Sequence, residues 1–488
     1  MGEIKKQSIN NTILSYIGAG LGFLIIYFQP SLISSSDIGL LRLLYSFSWM
    51  VAMVMPFGIG SITMRFFPRI KNEANTHNGF FALLLLFASA GALIIATALY
   101  LNKSFFVDYY KKSPAFPNYF NEAIVFAYIL SLISVYSLYA SSLLKTTFTV
   151  FLTDIFIRVG QFCLIIVCHY QLINRDTLVL LYIGLFFAQL LLLIVHLLKN
   201  KAVSFHIRWS FFKALPLKEI AVFGFLMMFT AFASLGIKFI DQLIVGHFLS
   251  ENMVGVYATC VMICAVMEIP FNSLERIAQS KIAYAWTIGD RKEVEKIYEM
   301  SSRYMFFLGG ILFCLLWAGI DLIFSGLPLE YHQGKLAFYI ISFSSLFNLL
   351  TGVNSSVILF SHKYFAASFF LFVLIAVAFV ANNFLISLFG ISGAALATLI
   401  AISTFNLLKY VYILIRFKMQ PFSKHTLYIS ICIFLSVVFI FILPQSIHPF
   451  IKPLLGCAFT VIIFSVMNIR FNTIHEVNKV FRRFKLIR

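Results

Sequence analysis

The chain is 488 residues long, 61% hydrophobic and only 11% charged, with a mean hydropathy of +0.93. Soluble proteins average about 45–50% apolar and about 25% charged residues, and one globular core cannot enclose this much apolar surface. The formal net charge of +18 requires no nucleic-acid partner, because inside loops of membrane proteins collect Lys and Arg and meet anionic headgroups there.

Successive apolar runs are long enough to cross about 30 Å of hydrocarbon as helices of about 20 residues, and none alternates like an outer-membrane strand. The expected fold class is therefore an all-α polytopic membrane protein with about fourteen transmembrane helices. Six spans are read at 12–27, 41–64, 80–101, 123–144, 150–169 and 178–198. Six more follow at 220–248, 254–271, 305–326, 336–360, 366–388 and 390–415, then a terminal pair at 427–443 and 454–469. The matching domain organisation is a six-helix half over 1–200, a second over 201–420, and helices thirteen and fourteen with a basic tail over 421–488.

With a cytoplasmic N-terminus, inside segments hold about 27 Lys and Arg and outside segments about 7. That bias puts both termini inside and requires an even number of spans. Lys5 and Lys6 before an apolar run resemble the start of a signal peptide, but no small-residue cleavage site follows, so an uncleaved first helix is expected. Outside connections are short. The longest, about 102–122, carries Tyr109, Tyr110, Phe116 and Tyr119, which suit the interface and leave no room for a catalytic domain.

The largest inside connection is 272–304. Asp290 and Glu293 there form a helix-start pattern, and Val294, Ile297 and Tyr298 make an apolar stripe expected to lie along the headgroups. The basic tail, 472–488, is read as a lipid-surface anchor. All seven cysteines fall within spans, and Cys260 and Cys264 share a helix face without a nearby histidine, so they are read as packing residues. No metal and no cofactor is expected, and the absence of a Walker-type loop argues against direct ATP use.

Charges at membrane depth are the candidate functional residues, because each at a span centre costs ~2.5–3.5 kcal/mol on insertion scales and should be paired or face water. The basic ones are Arg42, Arg65, Arg158, Lys238 and Lys409; the acidic ones are Asp154, Asp241, Glu268 and Asp321. Asp154 and Arg158 are four apart and Lys238 and Asp241 three apart, so each pair can meet on one helix face. The first pair reads equally as mutual neutralisation. The second is expected to line a polar cleft, while Lys409 near a helix end can snorkel. An unpaired carboxyl at depth can carry a proton, which makes Asp154, Glu268 and Asp321 the ion-coupling candidates, with Pro270 a hinge beside Glu268. Gln161, Asn348, Asn354, Asn382 and Asn383 are suited to sugar hydroxyls or to linking helices.

The turn Ser34-Ser35-Ser36-Asp37-Ile38-Gly39 opens an apolar run through Gly58-x-Gly60 to Arg65-Phe66, and Leu249-Ser250 with Val254-Gly255-Val256-Tyr257 repeats it roughly 216 residues later. Together with Pro270, Gly289-Asp290 and Gly390-Ile391-Ser392-Gly393-Ala394-Ala395-Leu396-Ala397-Thr398, these motifs resemble the oligosaccharide flippase family. That family lies within the multidrug, oligosaccharidyl-lipid and polysaccharide exporter superfamily. The resemblance implies a transporter, not an enzyme, in a bacterial cytoplasmic (inner) membrane. It would move an undecaprenyl-diphosphate-linked oligosaccharide to the outer leaflet by alternating access, for O-antigen, lipopolysaccharide, capsule or exopolysaccharide assembly.

Membrane lipids, a polysaccharide polymerase and other assembly proteins are the partners this implies. A diphosphate needs positive and hydrogen-bonding groups in its path, so the substrate-binding candidates are Arg42, Arg65, Arg158, Lys238, Asp241 and Lys409. The runner-up is a multidrug exporter of the same superfamily, which would want an anionic cavity.

Overall fold

The computed structural model describes residues 2–70, 77–143, 145–200, 203–213, 216–363, 365–444 and 448–474. Among these residues all regular structure is helical. The chain divides into two compact units, Met1–Ala258 and Thr259–Arg488.

In the first unit, α1 (Gly2–Leu32) is followed by α2 (Ser35–Val54), α3 (Ile59–Ile70) and α4 (Phe80–Leu101). Two short helices, α5 (Lys103–Tyr109) and α6 (Ala115–Asn118), lead to α7 (Phe120–Ser142), α8 (Thr146–Phe151), α9 (Ile157–His169) and α10 (Arg175–Lys199). Then come α11 (Trp209–Lys213), α12 (Leu217–Phe248) and α13 (Glu251–Cys264), the last running into the second unit. There α14 (Glu268–Thr287), α15 (Arg291–Ser325), α16 (Lys335–Leu350), α17 (Asn354–Leu359), α18 (Phe365–Phe417), α19 (Lys424–Ile442) and α20 (Ile451–Phe471) complete the chain.

Eleven helices among the described residues are long and apolar enough to cross a membrane. Gly390, at φ 57 and ψ −136, divides Phe365–Phe417 into two; α12 and the α16–α17 pair, outside those eleven, bring the number to the fourteen expected. The protein is a multi-pass membrane protein.

The polar turn before α2 is a helix start. Ser34 is the N-cap, with the Asp37 N–H donating to its Oγ at 3.1 Å, which satisfies one orphan donor of the first turn. Arg175, opening α10, pairs with Asp37 at 2.6 Å and ties two helix starts together. In the middle of this unit α7 packs against α2, α3, α4 and α10, while α12 lies on α2 and α3.

The single span expected at 41–64 is instead two helices. Phe57 and Gly58 turn left-handed (φ 45 and 74) after Pro56, and an added Cβ on Gly58 would stand 2.0 Å from the Gly224 carbonyl oxygen. The break thus lets α3 meet α12 backbone to backbone, which only glycine allows.

The expected loop at 272–304 is also mostly helix. After a 3-10 turn at Ala265–Met267, α14 starts at Glu268 and runs to Thr287. Pro270 sits in its first turn, where no N–H is missed, and Asp290 caps α15 by accepting from the Glu293 N–H at 3.0 Å. The stripe assigned to the headgroups is inside the protein: Val294 and Tyr298 are 0% exposed and belong to the second unit's core. What drives this is tertiary packing, since α15 is flanked by α14, α16, α19 and α20. The basic tail beyond residue 474 lies outside the described residues.

Candidate functional site

Two places in the first unit bring candidate basic side chains against open or polar space. One is an open cleft of about 700 Å³ lined by Arg65, Lys218, Glu219, Val222, Phe223 and Leu226, with Pro216 at its edge. Arg65 comes from α3 and the rest from the first turns of α12. The guanidinium stands 4.4 Å from the centroid of the Phe223 ring and 3.8 Å from Glu219, a cation–π contact and a weak exposed ion pair. Below these charges Val222 and Leu226 are more than half exposed. The cleft therefore has a charged mouth, net positive by one, over an apolar wall.

The other place is a small cavity of about 30 Å³, room for one water, lined by Arg42, Gln29, Gln161 and Tyr182 among apolar residues. Gln161 reaches the Tyr182 hydroxyl. Arg42 and Arg158 both act electrostatically on the Tyr45 phenol, so α2 and α9 bring two guanidiniums to one region.

Asp154 and Arg158 do not form an ion pair among the described residues. Residues Leu152–Phe156 form a π-helical turn in which the Ile157 N–H donates to the Leu152 carbonyl, and a wider turn carries position i+4 away from position i. Asp154 instead accepts from Ser15 Oγ at 2.8 Å. Arg158 lies against α1, its Nη1 3.0 Å from the point where a Cβ on Gly22 would stand.

Asp241 is buried in the first unit and accepts from the Tyr257 hydroxyl at 3.2 Å. The Lys238 side chain lies outside the described residues, so the expected pair between the two has no geometry here. Nearby, Ser46 Oγ donates to Gln242 Oε1 at 2.8 Å, tying α12 to α2.

The remaining candidates are in the second unit. Glu268 opens α14, where a carboxylate complements the helix dipole. Asp321, without a local partner in sequence, is clasped by Lys335 and by Lys452 at 3.3 Å, which joins the end of α15 to the starts of α16 and α20. Lys409 does not snorkel: it is 3% exposed and donates to Ser355 Oγ at 2.9 Å.

Asn382 and Asn383 donate back to the carbonyls of Ala378 and Phe379 on their own helix, whereas Asn348 and Asn354 are linked through Asn406. The Cys260 and Cys264 thiols point at the carbonyls of Gly334 and Phe338, a packing role. Sequence reading missed Lys218, Glu219 and Phe223. Their signal was the basic and acidic pair at the start of an apolar helix, facing Arg65 across the break.

No family model matches the chain, and no curated protein matches it. Solved structures do. The lipid II flippase MurJ in an inward closed conformation matches with a TM-score of 0.76 at 13% identity, over 95% of this chain and 98% of its own. An inward-facing multidrug resistance MATE family transporter of the MOP superfamily matches at 0.65 and 11%, over 82% of this chain and 94% of its own. A MOP superfamily transporter from Pyrococcus furiosus Vc1, described by the reverse polarity of its binding pocket, matches at 0.52 and 13%, over 85% and 95%. The chain has the fold of the MOP superfamily transporters.

Proposed function

We propose that the chain is a flippase for an undecaprenyl-diphosphate-linked oligosaccharide, moving it from the inner to the outer leaflet of a bacterial cytoplasmic membrane by alternating access. The resulting lipid-linked sugar would feed O-antigen, capsule or exopolysaccharide assembly, with a polymerase downstream. The carrying observation is the cleft at Arg65. An amphiphilic anion fits its chemistry: a diphosphate on Arg65 and Lys218, and a hydrocarbon chain along Val222 and Leu226. Displacing Glu219 from Arg65 costs little, since an exposed pair contributes about 0–1 kcal/mol. Similarity to a structure described as a lipid II flippase supports a lipid-linked substrate.

The competing reading, export of cationic drugs, would use the exposed Glu219 carboxylate of the same mouth in place of Arg65 and Lys218. Ligand stabilisation separates the two. Anything that binds only the folded state at about 100 times its Kd adds about 2.7 kcal/mol of stability, so polyprenyl diphosphate should raise the melting temperature of the purified protein and tetraphenylphosphonium should not. Stabilisation by the cation alone would reverse the assignment.

The reading also places both termini in the cytoplasm. In a background lacking the seven native cysteines, a cysteine at Lys112 should react with impermeant reagent from outside and one at Lys363 only from inside. Reaction of both from one side rejects this orientation.

A further inference from the structure

The second unit holds a buried amine that substrate movement, as proposed above, does not use. There α16 and α17 are one span broken at 351–353, where Gly352 has φ 59 and an added Cβ would stand 2.7 Å from the Ser302 nitrogen. Two serines of α15 repair the break. Ser302 Oγ donates to the Leu350 carbonyl at 2.6 Å, and Ser301 Oγ accepts from the Val353 N–H at 3.4 Å.

From α18, Asn406 Oδ1 accepts from Thr351 Oγ1 at 3.1 Å and from Asn354 Nδ2 at 3.0 Å, while its own Nδ2 donates to Asn348 Oδ1 at 3.0 Å. Three residues further along α18, Lys409 Nζ meets Ser355 Oγ at 2.9 Å and stands 3.6 Å from the centroid of the Phe405 ring. Ser355 Oγ is in turn 3.5 Å from Asn354 Oδ1.

The charged group facing this amine from another helix is Glu275 of α14, which acts on it electrostatically without forming an ion pair among the described residues. From α17 the amine meets Ser355, while Asn348, Thr351 and Asn354 gather on Asn406 one turn away; none of these titrates. Next to Lys409 in α18, Tyr410 acts electrostatically on Tyr298 of α15.

An ammonium has three donors; here one finds a hydroxyl, and the nitrogen lies over a ring face. Ser355 can serve either protonation state, because a hydroxyl accepts from an ammonium and donates to an amine. The two states are not equivalent for the neighbours. While Lys409 is charged, its N–H donates to Ser355 Oγ as a charge-assisted bond across the α17–α18 contact; the neutral amine can accept the Ser355 hydrogen instead, a weaker bond at the same place. Beside it, Asn354 Nδ2 joins α17 to Asn406.

We propose that Lys409 is a proton-exchange site whose charge state sets how α17 seats against α18 at the break. On release an N–H bond of Nζ opens, the electron pair stays on nitrogen and the proton leaves to water; uptake is the reverse. No oxidant or other reactant is needed, and the proposal is independent of which substrate the protein moves.

A built-in reporter tests it. Trp286 donates its indole N–H to the Val357 carbonyl of α17 at 3.1 Å and packs 5.6 Å from His362. The full chain in liposomes, with Trp49, Trp209 and Trp317 changed to Phe and His362 to Gln, then carries one tryptophan, which touches α17 at Val357 and α18 at Phe417. Its emission should titrate with the steepness of one proton across roughly pH 5–10, where a perturbed lysine can exchange. Lys409→Met, always neutral, and Lys409→Arg, always charged, should both lose the titration and rest at different emission values. A flat parent, or a variant that keeps the parent's midpoint, overturns the proposal. The arginine variant retains the cation and decides the matter alone if the methionine variant fails to fold.

Discussion

Gly39→Ala should destabilise the protein by about 1–3 kcal/mol, the usual penalty for forcing atoms into a packed site, and should stop transport. The reason is a backbone crossing. A Cβ on Gly39 would stand 1.9 Å from the Glu251 carbonyl oxygen, and one on Gly255 would stand 2.2 Å from that of Ser35. The two glycines that mark the internal repeat thus face each other where α2 crosses α13, and neither helix has a side chain there that can step aside.

The crossing is also clamped. The Ala115 N–H donates to Glu251 Oε1 at 2.6 Å, and Ser113 Oγ donates to the Gly246 carbonyl at 2.8 Å, so the segment before α7 holds the α12–α13 turn in place. Gly20→Ala and Gly184→Ala are the controls, since nothing lies within 4 Å of a Cβ at either position; alanine in these helices should be neutral or stabilise by up to about 1 kcal/mol. Heat-inactivation midpoints of the purified variants check the contrast. A Gly39→Ala protein as stable as the parent would show that the crossing gives way easily.

Arg65→Glu should reduce transport at least about 100-fold while leaving the amount of folded protein unchanged. Losing hydrogen bonds to a charged group costs about 1.5–3 kcal/mol, and reversal adds repulsion between the new carboxylate, Glu219 and the substrate diphosphate. Abundance should hold because Arg65 and Glu219 are 53% and 57% exposed, and exposed pairs contribute little to stability. Glu219→Gln removes the competitor for Arg65 and should keep transport at or above the parent's level. If Glu219→Gln also lost transport, the pair would be structural and the cleft would not be the substrate's contact.

The all-helical membrane class followed directly from composition, and the boundary at Gly390 from a run of small residues that the structure uses: a Cβ on Gly393 would stand 2.0 Å from the Leu385 carbonyl. Interruptions inside apolar runs were not legible, because at Phe57–Gly58 and at Ala265–Met267 hydrophobicity continues while the backbone changes. Helical spacing also misled at Asp154 and Arg158, where four residues mark one face only in a regular α-helix and the π turn withdraws that condition. Partners distant in sequence were out of reach: Lys452 meets Asp321 from 131 residues away and Ser355 meets Lys409 from 54. Arg65 was visible as a charge, but its cleft depends on α12 folding back across it.

Reconstitution of the purified chain in liposomes with a fluorescent, short-sugar polyprenyl diphosphate on both leaflets tests the central claim most directly. The account predicts that a membrane-impermeant reductant bleaches nearly all of the label with the chain present and about half without it, and that Arg65→Glu returns bleaching to about half. Bleaching that stays near half with the intact chain, together with uptake of a cationic dye by the same liposomes, would contradict it.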